Sequence, residues 1–204
     1  MENKIEVKKK NPIHPELFTY FKDKAGWKAQ FLRPELLSKK WDMYVMEELP
    51  NIYTIPAFTE DFCDYIIDEA ESCNCWTVDR HEHYPTTDMV LQTLGFQDIY
   101  QDILEEYIWP MAKHVYMLEE DSWLKMRSEN FLARYHPYAQ YHLALHHDMS
   151  QITSVVTLNT EDFEGGGTYF PNQKSKLKGK KGEISIHPGQ ITHRHGGLPV
   201  LTGQ

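Results

Sequence analysis

His146-His-Asp-Met-Ser-Gln-Ile-Thr-Ser-Val-Val-Thr-Leu-Asn159 is an alternating, β-branched stretch that opens on two histidines and a carboxylate. Successive side chains of an extended chain point to opposite faces, so His146 and Asp148 emerge together while His147 turns away. A His-x-Asp strand thereby presents two ligand side chains to one ion. The third ligand must arrive from a distant segment folded back alongside, which suits a small antiparallel barrel better than a local zinc loop. Histidine recurs in Glu183-Ile-Ser-Ile-His-Pro-Gly189 and in Ile191-Thr-His-Arg-His-Gly-Gly-Leu-Pro199. His193 and His195 share strand parity and His187 is a further candidate, so spacing alone does not choose among them. Two imidazoles and one carboxylate on a triangular face suit an ion such as Fe(II) and leave the opposite positions open for substrate and oxygen. The bland alternative is a solvated strand rich in histidine, in a chain with 11 His in 204 residues.

Working outward, Ser150 to Asn159 reads as a strand half buried in a barrel wall. Gly165, Gly166 and Gly167 read as a bend entering a strand from Thr168 to Phe170, and Lys174 to Lys181 as a solvated hairpin tip. Upstream, the spacing of Phe18, Phe21, Trp27, Phe31 and Leu36 predicts a helix within Pro15–Trp41. Thr59 followed by early acids predicts a second helix over 59–70. Ile99, Ile103, Tyr107 and Met111 share one side of a third over Gln97–Val115, bent by Pro110. Residues 1–14 are expected to be flexible and 15–204 to form one domain, with a helical scaffold over about 15–125 and a barrel core over about 126–204.

Forty-one per cent apolar residues, with 12 Tyr, 9 Phe and 5 Trp, supply enough bulk for one core. The formal charge of −9 argues against nucleic acid as a partner and mildly favours a lysine-bearing one. Cys63, Cys73 and Cys75 imply neither a disulfide framework nor a metal knuckle. The N-terminus lacks the apolar core of a signal peptide and no run approaches transmembrane length, which reads as cytoplasmic.

His146-His-Asp148, Phe163-Glu-Gly-Gly-Gly167, His187-Pro-Gly189 and Thr192-His-Arg-His-Gly-Gly-Leu-Pro199 together resemble the catalytic domain of procollagen lysyl hydroxylases. Tyr53-Thr-Ile-Pro-Ala-Phe-Thr-Glu-Asp-Phe-Cys63, Tyr84-Pro-Thr-Thr-Asp88, Tyr107-Ile-Trp-Pro-Met111 and Phe131-Leu-Ala-Arg-Tyr-His-Pro137 extend the likeness in the same order. The resemblance implies a double-stranded β-helix (jelly-roll, cupin-like) barrel with flanking helices. It implies Fe(II) held by His146, Asp148 and His195, 2-oxoglutarate as cosubstrate contacted by Tyr135, and ascorbate as a further requirement. It places a basic anchor for 2-oxoglutarate ten positions after the last ligand, at position 205, beyond Gln204. A shortened chain lacking that anchor and the last barrel strand is the corresponding expectation. The implied partner is a lysine-bearing, collagen-like peptide, the implied setting the endoplasmic reticulum, and the implied assembly a homodimer. Hydroxylation of proline or another side chain, and a non-catalytic barrel that binds metal or a partner, are the alternatives.

Overall fold

The structure is a computed structural model that describes residues 11–81, 83–119 and 128–204. The expectation of a flexible leading segment falls mostly on residues 1–10, and the division near 125 falls within 120–127. Both stretches lie outside the described residues.

Eleven strands are described: β1 (Met46–Leu49), β2 (Ile52–Pro56), β3 (Thr87–Val90), β4 (Phe131–Arg134), β5 (Ile152–Val156), β6 (Phe163–Gly165), β7 (Thr168–Phe170), β8 (Ser175–Leu177), β9 (Glu183–Pro188), β10 (Gly196–Gly197) and β11 (Val200–Gly203). All pairings among them are antiparallel. The principal sheet runs β1-β2-β9-β5, beside a three-stranded sheet β10-β7-β8 and the pairs β11-β6 and β3-β4. Among the described residues these ladders do not close on one another into a barrel. The strand expected from the β-branched run is present, as is the glycine bend, where Gly165, Gly166 and Gly167 all have positive φ. The basic segment 174–181 is more than a hairpin tip, because β8 lies within it and pairs with β7.

The principal sheet has two chemically different faces. On one, Ile55, Ile184 and Ile186 join the helical core. On the other, Thr54, Ser185 and His187 are buried yet polar, and the register sets Thr54 opposite Ser185 and Thr153 opposite His187. Period-two alternation thus sends grease to the helices and polar groups to the site side.

The helices pack on the apolar face. Glu60–Cys73 begins as expected, with the Thr59 hydroxyl accepting from the Phe62 N–H, and ends on Asn74 in the left-handed region. The single helix expected within Pro15–Trp41 is instead four short pieces, Pro15–Thr19, Lys24–Phe31, Pro34–Leu37 and Trp41–Tyr44. Pro34 forces the residue before it out of helical geometry, and Arg33 is extended with ψ 146°. Phe21 consequently faces solvent, whereas Trp27, Phe31 and Leu36 are buried. Gln97–Val115 runs continuously, but Leu104–Ile108 widens into a π turn where the Trp109 N–H reaches the Leu104 carbonyl. Pro110 has no N–H to give the preceding turn, and the wider turn accommodates it. Ile99, Ile103, Tyr107 and Met111 line its buried side. An aromatic cluster forms the centre of this core, with Phe58 stacked on Phe62 at 4.2 Å and Trp27 and Phe31 beside it.

Cys73 and Cys75, whose spacing implies no disulfide framework, form a disulfide. The left-handed turn at Asn74 brings the two side chains together across a single intervening residue. Cys63 is free and buried. No helix among the described residues is long and apolar enough to cross a membrane.

Candidate metal centre

His146 and Asp148 lie just ahead of β5 in chain that is extended but not part of a regular strand. Their facing alternates as expected, with His147 exposed and its two neighbours half-buried. What holds this segment is a single two-residue bridge, in which the His146 N–H donates to the His195 carbonyl at 2.8 Å and the His195 N–H donates back at 2.9 Å. A second tie comes from the Asp148 N–H, which donates to the Gly189 carbonyl at 2.8 Å. Gly189 permits that approach, since a Cβ there would stand 2.3 Å from the Ser150 carbonyl oxygen.

The bridge brings His195 to the pair. Ligand atoms of His146, Asp148 and His195 all lie within 4.8 Å of one another, a group able to hold a metal ion. His193 is excluded by its backbone: Ile191–His193 is a 3₁₀ turn, and the His193 ring is engaged by Thr192 and, at 3.1 Å, by the Pro50 carbonyl. The shared parity expected of His193 and His195 fails because that turn interrupts the strand. His187 packs edge-on against the His195 ring at 4.6 Å but stands outside the three-residue group.

Both candidate imidazoles are oriented by carbonyls. His146 Nδ1 donates to Ala144 O at 2.8 Å and His195 Nδ1 donates to His193 O at 2.9 Å. A carbonyl can only accept, so each ring carries its proton on Nδ1 and leaves Nε2 for the site. Those Nε2 atoms stand 3.2 Å and 3.5 Å from the two Asp148 oxygens. Lone pairs facing a carboxylate at such range require a positive charge between them, either a metal ion or a proton. Burial opposes the charge on His146, but the hydrogen bond to Asp148 and the Ala144 carbonyl outweigh it and raise its pKa above the ordinary histidine value. Burial would raise Asp148, yet hydrogen bonds from His146 and Thr153 bring it down to about 2. Burial lowers the pKa of His195, and pushes that of His187 down to about 4.

Thr153 was not legible as a site residue. Its hydroxyl donates to Asp148 Oδ2, and Ser150 stands 2.6 Å behind it. The bend at 149–151, between Asp148 and the start of β5, folds it back onto the carboxylate five residues earlier. Thr153→Val is expected to weaken Fe(II) or Co(II) binding by roughly 10- to 100-fold, the usual effect of removing an outer partner of a ligand. Chelator competition reads this directly, and an affinity within twofold of the parent would exclude an orienting role for Thr153.

Tyr135 follows the end of β4 and is half-buried, its ring close to Gly197, two residues past His195. Burial and the nearby Asp88 charge push its phenol up to about 12. His136 and His142 stay on the periphery: His136 Nδ1 accepts from the Tyr138 N–H at 3.1 Å, and the exposed His142 ring packs beside Tyr141.

A family model described as OGFOD2-like domain matches residues 7–120, the helical part and strands β1 to β3. The chain is also 33% identical over 206 residues to the rat multifunctional procollagen lysine hydroxylase and glycosyltransferase LH3, and 31% identical over 205 residues to the human protein. Human procollagen-lysine,2-oxoglutarate 5-dioxygenase 1 is 30% identical over 204 residues. Each alignment covers 94% of this chain but only 27–28% of the relative, so the chain spans little more than a quarter of the length of the curated relatives it matches.

Proposed function

We propose that this chain, which belongs to the OGFOD2-like domain family, is an Fe(II)- and 2-oxoglutarate-dependent dioxygenase that hydroxylates peptidyl-lysine. The observation that carries the reading is the convergence of two Nδ1-anchored histidines on one carboxylate. Mixed nitrogen and oxygen donors that occupy one face suit Fe(II), which when bound supplies oxidation by dioxygen coupled to decarboxylation of 2-oxoglutarate. His146, Asp148 and His195 would hold the ion. Thr153 fixes the carboxylate, and the Ala144 and His193 carbonyls fix the ring tautomers. Tyr135, whose phenol stays protonated through neutral pH, would donate to a 2-oxoglutarate carboxylate. The buried polar face formed by Thr54, Ser185 and His187 supports a double-stranded β-helix interior suited to a small anionic cosubstrate.

The relatives' names support lysine as the acceptor, and a net charge of −9 favours a cationic side chain. A collagen-like Lys-Gly peptide is the proposed substrate, with succinate and carbon dioxide as co-products and ascorbate maintaining the iron. The Cys73–Cys75 disulfide supports an oxidising setting such as the endoplasmic reticulum. The test combines protein, Fe(II), 2-oxoglutarate, ascorbate and either a Lys-Gly or a Pro-containing peptide, with succinate and peptide mass as readouts. Succinate formed together with one oxygen added to lysine is the expected result. Oxygen added to proline instead would reassign the substrate, and iron binding without succinate would favour a non-catalytic barrel.

A further inference from the structure

We infer that the groove beside His146 is a subsite for an uncharged, apolar segment flanking the modified residue of the substrate, with Tyr84 as the side chain that selects it. This rests on the peptide-hydroxylase reading above and adds where, and by what chemistry, the peptide is gripped. The groove is a shallow, solvent-open depression of about 470 Å³, and Val78, Tyr84, Pro85, Tyr141, Leu143 and Ala144 contribute its apolar lining. Among the described residues no Asp, Glu, Lys or Arg lines it, in a chain that is a quarter charged. Val78, Tyr84 and Tyr141 are 57%, 42% and 46% exposed, a concentration of large apolar side chains that a folded surface ordinarily avoids outside a contact site.

Continuity with the metal centre identifies the occupant. The Tyr84 ring lies 5.2 Å from the His146 ring, and Ala144, a lining residue, supplies the carbonyl that orients that same histidine. A chain lying in the groove therefore runs up to the ligand set. Its walls are anchored rather than loose: Leu143 N–H donates to the Gly197 carbonyl at 3.0 Å, Val200 N–H donates to the Tyr141 carbonyl at 2.8 Å, and the Gln140 side chain donates to the Pro85 carbonyl across the floor. Preformed walls with tyrosine faces suit an extended peptide, because aromatic rings offer large contact area at low entropic cost. Charged flanking residues would lose hydration without gaining an ionic partner among the described lining residues.

Two Lys peptides test this, one with an apolar flank and one truncated at the lysine, with binding read by fluorescence anisotropy in the intact chain and so independent of turnover. The parent protein is expected to bind the flanked peptide roughly tenfold more tightly, the scale of one aromatic anchor. Tyr84→Ala should erase that preference, Tyr84→Phe should keep it, and a glutamate in the flank should bind no better than the truncated peptide. Equal affinity for both peptides in the parent, or a preference that survives Tyr84→Ala, overturns the subsite. Failure of the enzymatic reading shows separately, as absence of succinate.

Discussion

Asp148→Ala is expected to abolish the proposed iron-dependent stabilisation and 2-oxoglutarate turnover while leaving the metal-free fold in place. Asp148 is the sole anionic donor of the group, and it stands 3.2 Å and 3.5 Å from the two Nε2 atoms. Its removal should cost more than the roughly 100-fold lost when only an outer partner is deleted. The fold should survive because Asp148 is half-buried on the polar side of the principal sheet and lies outside the apolar core. Scanning calorimetry with and without Fe(II) separates the two statements, since a ligand that binds only the native state raises its Tm by mass action. An accompanying sign is fixed by the electrostatics. With the carboxylate gone, burial acts on His146 unopposed by Asp148, so its pKa should drop from its raised position. An iron-induced Tm rise of parental size in Asp148→Ala would remove this carboxylate from the ligand set.

Gly182→Ala is the substitution expected to damage the fold most for its size. Gly182 has φ +77°, and a Cβ there would stand 2.2 Å from the Phe58 carbonyl oxygen. Its carbonyl accepts from both Ala57 N–H at 2.9 Å and Phe58 N–H at 2.8 Å, and its N–H donates to the Thr157 carbonyl at 2.8 Å. One residue thus ties the end of β2, the approach to the Glu60–Cys73 helix and the chain after β5. The left-handed conformation alone costs a residue with a Cβ about 1–2 kcal/mol. Moving backbone to relieve the contact brings the expected total to about 3 kcal/mol, or a Tm loss of roughly 6–12 °C in a domain of this size. Gly95→Ala is the control, with φ +73° and nothing within 4 Å of the added Cβ. It should show the conformational cost alone. Equal losses at the two positions would mean that contact with Phe58 carries no weight.

Several features were readable because their causes act over a few residues. The Thr59 cap, the alternation that sets His147 against its neighbours, and the bend at the three glycines each follow from local backbone geometry. The long segment Pro15–Trp41 was misread because its apolar spacing resembles one helix, while Pro34 and the caps divide it. The Cys73–Cys75 bond was missed for a related reason: spacing says nothing of the left-handed turn at Asn74 that brings the sulfurs together.

By itself, the sequence determined which side chains near residue 146 face together, the Glu60–Cys73 helix, and the polar and apolar parities of the principal sheet. These depend on periods of two and 3.6 residues and on caps. Tertiary structure alone decided which distal histidine stands beside His146, since the 3₁₀ turn at 191–193 and the His146–His195 bridge set the choice. It also decided that Thr153 meets Asp148 and that Tyr84 borders His146. The His195 and Tyr84 contacts join segments far apart in the chain, and the Thr153 contact, though it spans only five residues, depends on how the chain bends between Asp148 and β5.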